Sequence, residues 1–156
     1  DQSFGAPLCR WISGGWILDV MPTDSAILGF SNRWYRLAAE TAHQMTLSDG
    51  VTIRVITAPC FIGTKLEAFH GRGKGDYLAS HDLEDILGLV EGRPEIVAEC
   101  ANSPADLCRY LQEQLTALLD IDGFNQALPG HVLEAGRLPI VRRRLVAIAA
   151  GTNEQL

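Results

Sequence analysis

The firmest constraint in this chain is a set of apolar stripes at helical spacing in its second half. Leu83, Ile86, Leu87 and Val90 recur every three or four residues, and Leu107, Leu111, Leu115 and Leu118 do the same. That period gathers each set on one side of an α-helix and requires a surface to cover it. Ser80 reads as the N-cap of the first helix. Asp82 and Glu84 fall in its first turn, where negative charge suits the helix dipole. Gly92-Arg93-Pro94 ends it. A short helix is expected over 94–101. Ser103-Pro104 opens another that runs to about Leu119, and residues 124–128 and 138–150 close the chain as helices.

The first half reads differently. Gly14-Gly15 separates two β-prone runs, 8–13 and 16–21, which predicts a hairpin with a tight turn. In the second strand Trp16, Leu18 and Val20 share one face, and Ile17, Asp19 and Met21 the other. Pro22 ends it. The loop expected over 1–5 leads into this hairpin, with a further segment expected upstream. Ser31 reads as an N-cap for a helix over 32–45, carrying Trp34, Leu37, Ala38 and Thr41 at helical spacing. Ser48-Asp49-Gly50 is a turn signal. A strand is expected over 51–57, with Val51, Ile53 and Val55 on one face. Pro59 opens a helix over 60–71 with Phe61, Leu66 and Phe69 in the core, and a glycine-rich loop, 71–76, follows. This order predicts an α/β (α+β) fold: a small mixed β-sheet with a helical C-terminal half. Its expected units are a core over 1–101 and a helical extension over 102–156 packed on it.

Composition narrows the function classes. The 156 residues are 47% hydrophobic with a formal net charge of -6. The mean hydropathy is +0.07 and the pI about 5.1. One globular domain with a sizeable core fits these values. The clearest apolar run is Leu145 to Ala150, far short of the roughly 20 residues that span a bilayer. An acidic chain is ill suited to coat nucleic acid. Cys9, Cys60, Cys100 and Cys108 lack zinc spacing and read as reduced, mostly buried thiols of a cytoplasmic protein.

Two places carry residues suited to chemistry. Asp19 stands in an apolar strand, where an acid needs a cation, a hydrogen bond or a salt bridge. It reads either as a magnesium ligand or as a strand-end acid in a local ion pair. The second place is Lys65, Arg72, Lys74, Asp76, His81, Asp82 and Asp85. Its cations flank glycines that let a backbone approach a ligand closely, which suits a triphosphate. Lys65, Phe69 and Arg72 share a helix side, and Asp82 and Asp85 lie one turn apart. A solvated glycine loop with helix-cap acids is the alternative. His43, His70 and His131 lack ligand-spaced partners, and His81 reads as a capping or surface residue. Arg142, Arg143 and Arg144 read as a solvated helix face or partner contact, and RNA contact is a weaker option. Trp11 and Trp34 suit either a homodimer contact or core packing.

The segment Ala58-Pro59-Cys60-Phe61-Ile62-Gly63-Thr64-Lys65-Leu66-Glu67-Ala68-Phe69, followed by Arg72-Gly73, Asp76 and Ser80-His81-Asp82-Leu83-Glu84-Asp85-Ile86, resembles the nucleotidyltransferase superfamily. It is closest in pattern to minimal bacterial proteins akin to abortive-infection toxin nucleotidyltransferases. Trp16-Ile17-Leu18-Asp19-Val20-Met21-Pro22 is similar to that family's later carboxylate strand. The likeness covers roughly residues 9–99. It implies transfer of a nucleoside monophosphate from a nucleoside triphosphate, with Mg2+, to a tRNA, a protein side chain or a small molecule. By this resemblance Asp19 is a catalytic metal ligand, Asp82 and Asp85 are catalytic acids, and Lys65, Arg72 and Lys74 face the nucleotide. The family's Asp-x-Asp pair, which follows a Gly-Gly or Gly-Ser turn, is absent from these residues. It is expected upstream, or else lost. Its loss would leave a degenerate fold acting as a toxin-like or regulatory interaction module. A small hydrolase using His81 and Asp82 is a third reading, with no nucleophile paired to a base.

Overall fold

A computed structural model describes residues 9–29, 31–72, 75–132 and 134–152. The loop expected over 1–5 and Lys74 lie outside them. Two antiparallel hairpins and a set of helices make up the described chain. Strands β1 (Arg10–Ser13) and β2 (Trp16–Asp19) form the first hairpin, with Arg10 opposite Asp19 and Ser13 opposite Trp16. Gly14 and Gly15 turn it at φ 55° and 86°. A two-residue turn of that kind needs positive φ at both positions, which glycine supplies without a Cβ clash. A short helix α1 (Ser25–Leu28) follows, capped by Asp24, whose side chain accepts from Ala26 N.

Helix α2 (Tyr35–Thr41) is shorter than the sequence suggests. Residues 43–45, expected to continue the helix, instead belong to β3 (His43–Thr46), paired with β4 (Thr52–Val55). The cause is tertiary. Arg54, on β4, donates to the carbonyls of Ala39 at 2.7 Å and Ala42 at 3.2 Å, covering the open end of α2. Leu47 N donates to Val51 O at 2.8 Å and closes the turn between the strands. Ser31 is not the helix cap; its hydroxyl donates to Thr23 O at 3.1 Å. The small mixed sheet is therefore corrected to two separate two-stranded antiparallel sheets. Each four-residue strand finds its partner across a local turn, where closing the loop costs least entropy.

The helices that follow are α3 (Ala58–Arg72), α4 (His81–Gly92), α5 (Ile96–Ala101), α6 (Ala105–Leu119), α7 (Asp122–His131) and α8 (Leu138–Ala150). The expected stripes are the buried ones: Leu83, Ile86, Leu87 and Val90 from α4, and Leu107, Leu111, Leu115 and Leu118 from α6. They meet Ile62, Leu66 and Phe69 of α3 and Val141, Leu145 and Ile148 of α8 in one apolar cluster. Helices on both sides of residue 101 thus share a core. Phe61, expected inside, is only partly buried.

Polar groups close the core at chosen points. Asn32 is buried, donating to Thr64 O at 2.8 Å and accepting from Trp34 N at 3.0 Å. The arginine run is a solvated face only in part, with Arg142 and Arg143 exposed and Arg144 not. Arg144 is buried and donates to Val90 O and Glu91 O, both at 2.8 Å, at the carboxyl end of α4. Arg137 adds Glu91 O at 2.7 Å and Glu91 Oε1 at 3.0 Å. Cations there satisfy orphan carbonyls and suit the negative end of the dipole. Arg142 donates to Asn125 Oδ1 at 2.8 Å, and Arg143 is exposed.

Arg144→Leu should destabilise the fold by roughly 2–4 kcal/mol in urea unfolding, because it strands buried carbonyls. Gly63→Ala should also destabilise. A Cβ there would lie 2.8 Å from Leu107 Cδ1 and 3.3 Å from Trp34 Cδ1. Overpacking of that kind costs about 1–3 kcal/mol, read in the same experiment.

Candidate functional site

Lys65 sits midway along α3, on the side that faces α4. The helix begins where Thr57 O accepts from Phe61 N at 2.9 Å, and Pro59 in the first turn fits its fixed φ. Helix α4 begins where Ser80 Oγ accepts from Leu83 N at 3.4 Å. Asp76 shapes the approach to it, its Oδ1 accepting from Leu78 N at 3.2 Å and Ala79 N at 2.9 Å. His131 ties the same stretch to α7 through Nε2 and Tyr77 O at 2.7 Å.

Packing of α3 against α4 brings three expected residues together. Lys65 Nζ lies 2.5 Å from Asp85 Oδ2 and 3.4 Å from Asp82 Oδ1. The Phe61 ring flanks the same ammonium, 5.6 Å from its centroid, a distance within cation–π range. Phe61 is one helical turn before Lys65, so the i, i+4 spacing was the signal that could have found it. Asp82 is nearly buried, its side chain 7% exposed, while Asp85 is 45% exposed. Arg72 ends α3 two turns beyond Lys65. Its side chain, like Lys74, is outside the description. His81 is exposed and pairs with Glu84 at 3.0 Å.

Asp19 is elsewhere in its bonding. Arg10 Nε and Nη2 donate to its two carboxylate oxygens, each at 2.8 Å. The hydrogen bond from Arg10 holds the carboxyl below its ordinary range, and Asp19 in turn raises the guanidinium. Of the two readings of this acid, the local ion pair is the arrangement observed. It lies on the surface, since β2 is exposed along its whole length. Among the described residues, Asp19 is bonded within the first hairpin and Lys65 within α3 and α4. Among the described residues, no group of three or more His, Cys, Asp or Glu side chains is arranged to hold a metal ion.

Two clefts were not legible in the sequence. One, of about 350 Å3, opens where α3 begins, and Thr41, His43, Arg93, Glu99 and Asn102 are among its lining residues. Arg93 and Glu99 close on each other there at 2.6 Å. The other, about 340 Å3, lies beside Arg33, Trp34 and Tyr110. The Arg33 guanidinium stands 4.7 Å from the Trp34 ring centre and 5.0 Å from that of Tyr110. The Tyr110 hydroxyl donates to Glu67 Oε2 at 3.0 Å.

No family model, curated protein or solved structure matches the chain.

Burial pushes the Cys100 thiol from its ordinary 9.0 up to about 12, with smaller contributions from Glu99 and Cys108. Burial, then the bond to Glu67, also raises the Tyr110 phenol. Both groups hold their protons more tightly when folded, so the stability they contribute is present below their unfolded values and is lost above them. The melting temperature should fall as pH rises from 9.0 toward about 12. Cys100→Ala and Tyr110→Phe should each flatten that decline in a pH series of thermal melts. An equally steep decline in both variants would remove these two groups as its cause.

Proposed function

We propose that this protein is a nucleotidyltransferase-like enzyme that moves a nucleoside monophosphate from a nucleoside triphosphate to an acceptor. The observation that carries this reading is the convergence of Lys65, Asp82 and Asp85 where α3 packs on α4. An ammonium on a rigid helix contacts phosphate oxygens as a point charge. In the reaction an acceptor oxygen or nitrogen attacks the α-phosphorus. The bond from that phosphorus to the departing pyrophosphate breaks, and the acceptor's proton passes to a base. Asp82 is the base of choice, since it adjoins the ammonium that holds the phosphates. Asp85 positions Lys65. The acceptor classes are a tRNA, a protein side chain or a small molecule. The four free thiols favour a cytoplasmic location.

The resemblance also implies Mg2+, which offsets phosphate charge when bound. The described residues do not fit a magnesium site. Asp19 is a single carboxylate whose two oxygens both accept from Arg10. It can take a cation only after that pair opens, so no step is assigned to the metal here.

A second reading is supported by the surface of the first hairpin. Trp11, Ile12, Trp16, Ile17 and Leu18 are all more than half exposed. A two-stranded ribbon with large apolar residues on both faces is marginal in water by itself. A degenerate nucleotidyltransferase fold serving as a toxin-like or regulatory interaction module, or as a homodimer, would cover it.

Isothermal titration of the chain with each nucleoside triphosphate, with and without magnesium, separates the two readings. Binding with a Kd in the micromolar range, weakened about tenfold or more by Lys65→Ala, is expected for the enzyme; loss of a charged hydrogen bond is worth that much. Unchanged affinity in Lys65→Ala removes this lysine from the site. No binding of any triphosphate leaves the interaction module as the better reading.

A further inference from the structure

The cleft of about 350 Å3 at the start of α3 shares no lining residue with the Lys65 cluster, and the proposed reaction does not use it. Its volume falls within the range of small-molecule pockets. Ala58 and Pro59 of α3 and Pro104 before α6 line it with carbon, and Arg93 and Glu99 supply its charge. Arg93 grips Glu99 along one edge of its guanidinium. Nε and Nη2 donate to the two carboxylate oxygens, each at 2.6 Å. A guanidinium carries five N–H groups in a rigid plane, so this contact takes two of them and the Nη1–Nη2 edge keeps a second parallel pair. We infer that the cleft binds a small organic acid, an apolar body ending in one carboxylate, with Arg93 as the group that receives the carboxylate.

Glu99 fixes the plane of the guanidinium and thereby orients its remaining edge. Both Glu99 oxygens already accept from Arg93, so a cationic ligand meets an acid that is already paired. Other polar lining groups direct donors elsewhere. The Thr41 hydroxyl donates to Leu37 O at 2.8 Å, Asn102 Nδ2 to Ala98 O at 2.8 Å and the Ser103 hydroxyl to Cys100 O at 2.7 Å. Arg93 is therefore the lining group best supplied with donors for a ligand. Its fork matches the two coplanar oxygens of a carboxylate, which a point charge does not. The pair is neutral as a unit and half in water, the Arg93 side chain being 45% exposed and that of Glu99 31%. It exerts little pull on a bare inorganic anion, because exposed ion contacts are weak. Burial of an apolar body against the carbon-lined wall has to add to the fork, and this selects an apolar acid over phosphate.

The test is a titration of the isotope-labelled chain, followed by amide chemical shifts, with three probes: sodium benzoate, benzamide and sodium orthophosphate. Benzoate should bind with a Kd in the high-micromolar to millimolar range, as small ligands do, and shift the amides of Ala58, Asn102 and Ser103. Benzamide has the same body without the charge and should bind about tenfold more weakly. Orthophosphate has charge without the body and should bind more weakly still. Arg93→Gln should weaken benzoate about tenfold or more, the loss of a charge-assisted pair of hydrogen bonds, and leave benzamide within about twofold. Arg93→Lys keeps the charge without the fork and should also lose several-fold; it decides the matter if Arg93→Gln does not fold. Arg143→Gln removes an exposed charge from α8 and should match the parent. Benzoate that leaves the cleft amides unshifted, benzamide or orthophosphate that binds as tightly as benzoate, or Arg93→Lys with parental affinity overturns the inference.

Discussion

The burial of α3 between its neighbouring helices is the constraint on which the rest depends. Ile62, Leu66 and Phe69 of α3 point into the common core, while Gly63 leaves room for Trp34 of the segment before α2 and Leu107 of α6. A helix gripped on that many sides has little freedom to rotate. Lys65, on its remaining side, is thereby aimed at the first turn of α4. The site is a by-product of core packing: apolar residues fix the two helices, and the charged residues one position away are carried to each other.

Three arginines of this protein finish helices. Arg144 and Arg137 cover the carboxyl end of α4, and Arg54 covers that of α2. Each arginine reaches carbonyls that helical geometry leaves without partners. The Lys65 cluster differs, because two acids of unequal burial both meet the Lys65 ammonium. The nearer acid, Asp85 at 2.5 Å, is the exposed one, and Asp82 at 3.4 Å is the buried one. That asymmetry is the physical basis for treating the cluster as a site rather than as a further cap. The first hairpin is held differently. Its strands pair with each other, Arg10 bonds Asp19 within it, and Trp11 and Trp16 are exposed.

Much of the helical half was legible along the chain. The stripes of α4 and α6 are periodic, Ser80 is a capping residue, and the bounds of α8 coincide with those expected. These elements are set by short-range rules, the 3.6-residue period and local capping, so sequence suffices. The Gly14-Gly15 turn is legible for a similar reason, since positive φ at two successive positions calls for glycine. What was not legible lies where distant residues choose between local options. Residues 43–46 have no strong preference, and pairing with β4 makes them a strand. Arg144 belongs to a basic run that reads as solvated, and only the approach of α8 to α4 shows it to be a buried cap.

The same division applies to the site. Sequence by itself determined that Lys65 stands on one helix and that Asp82 and Asp85 stand a turn apart on another. It also placed an acid, Asp19, at the end of an apolar strand. Only the tertiary structure decided that the lysine meets both α4 acids, that Asp82 is buried and Asp85 is not, and that Asp19 closes on Arg10. Which face a helix presents can be read from its period. Which helix it faces depends on how all the apolar surfaces are buried together, and that is a property of the whole chain.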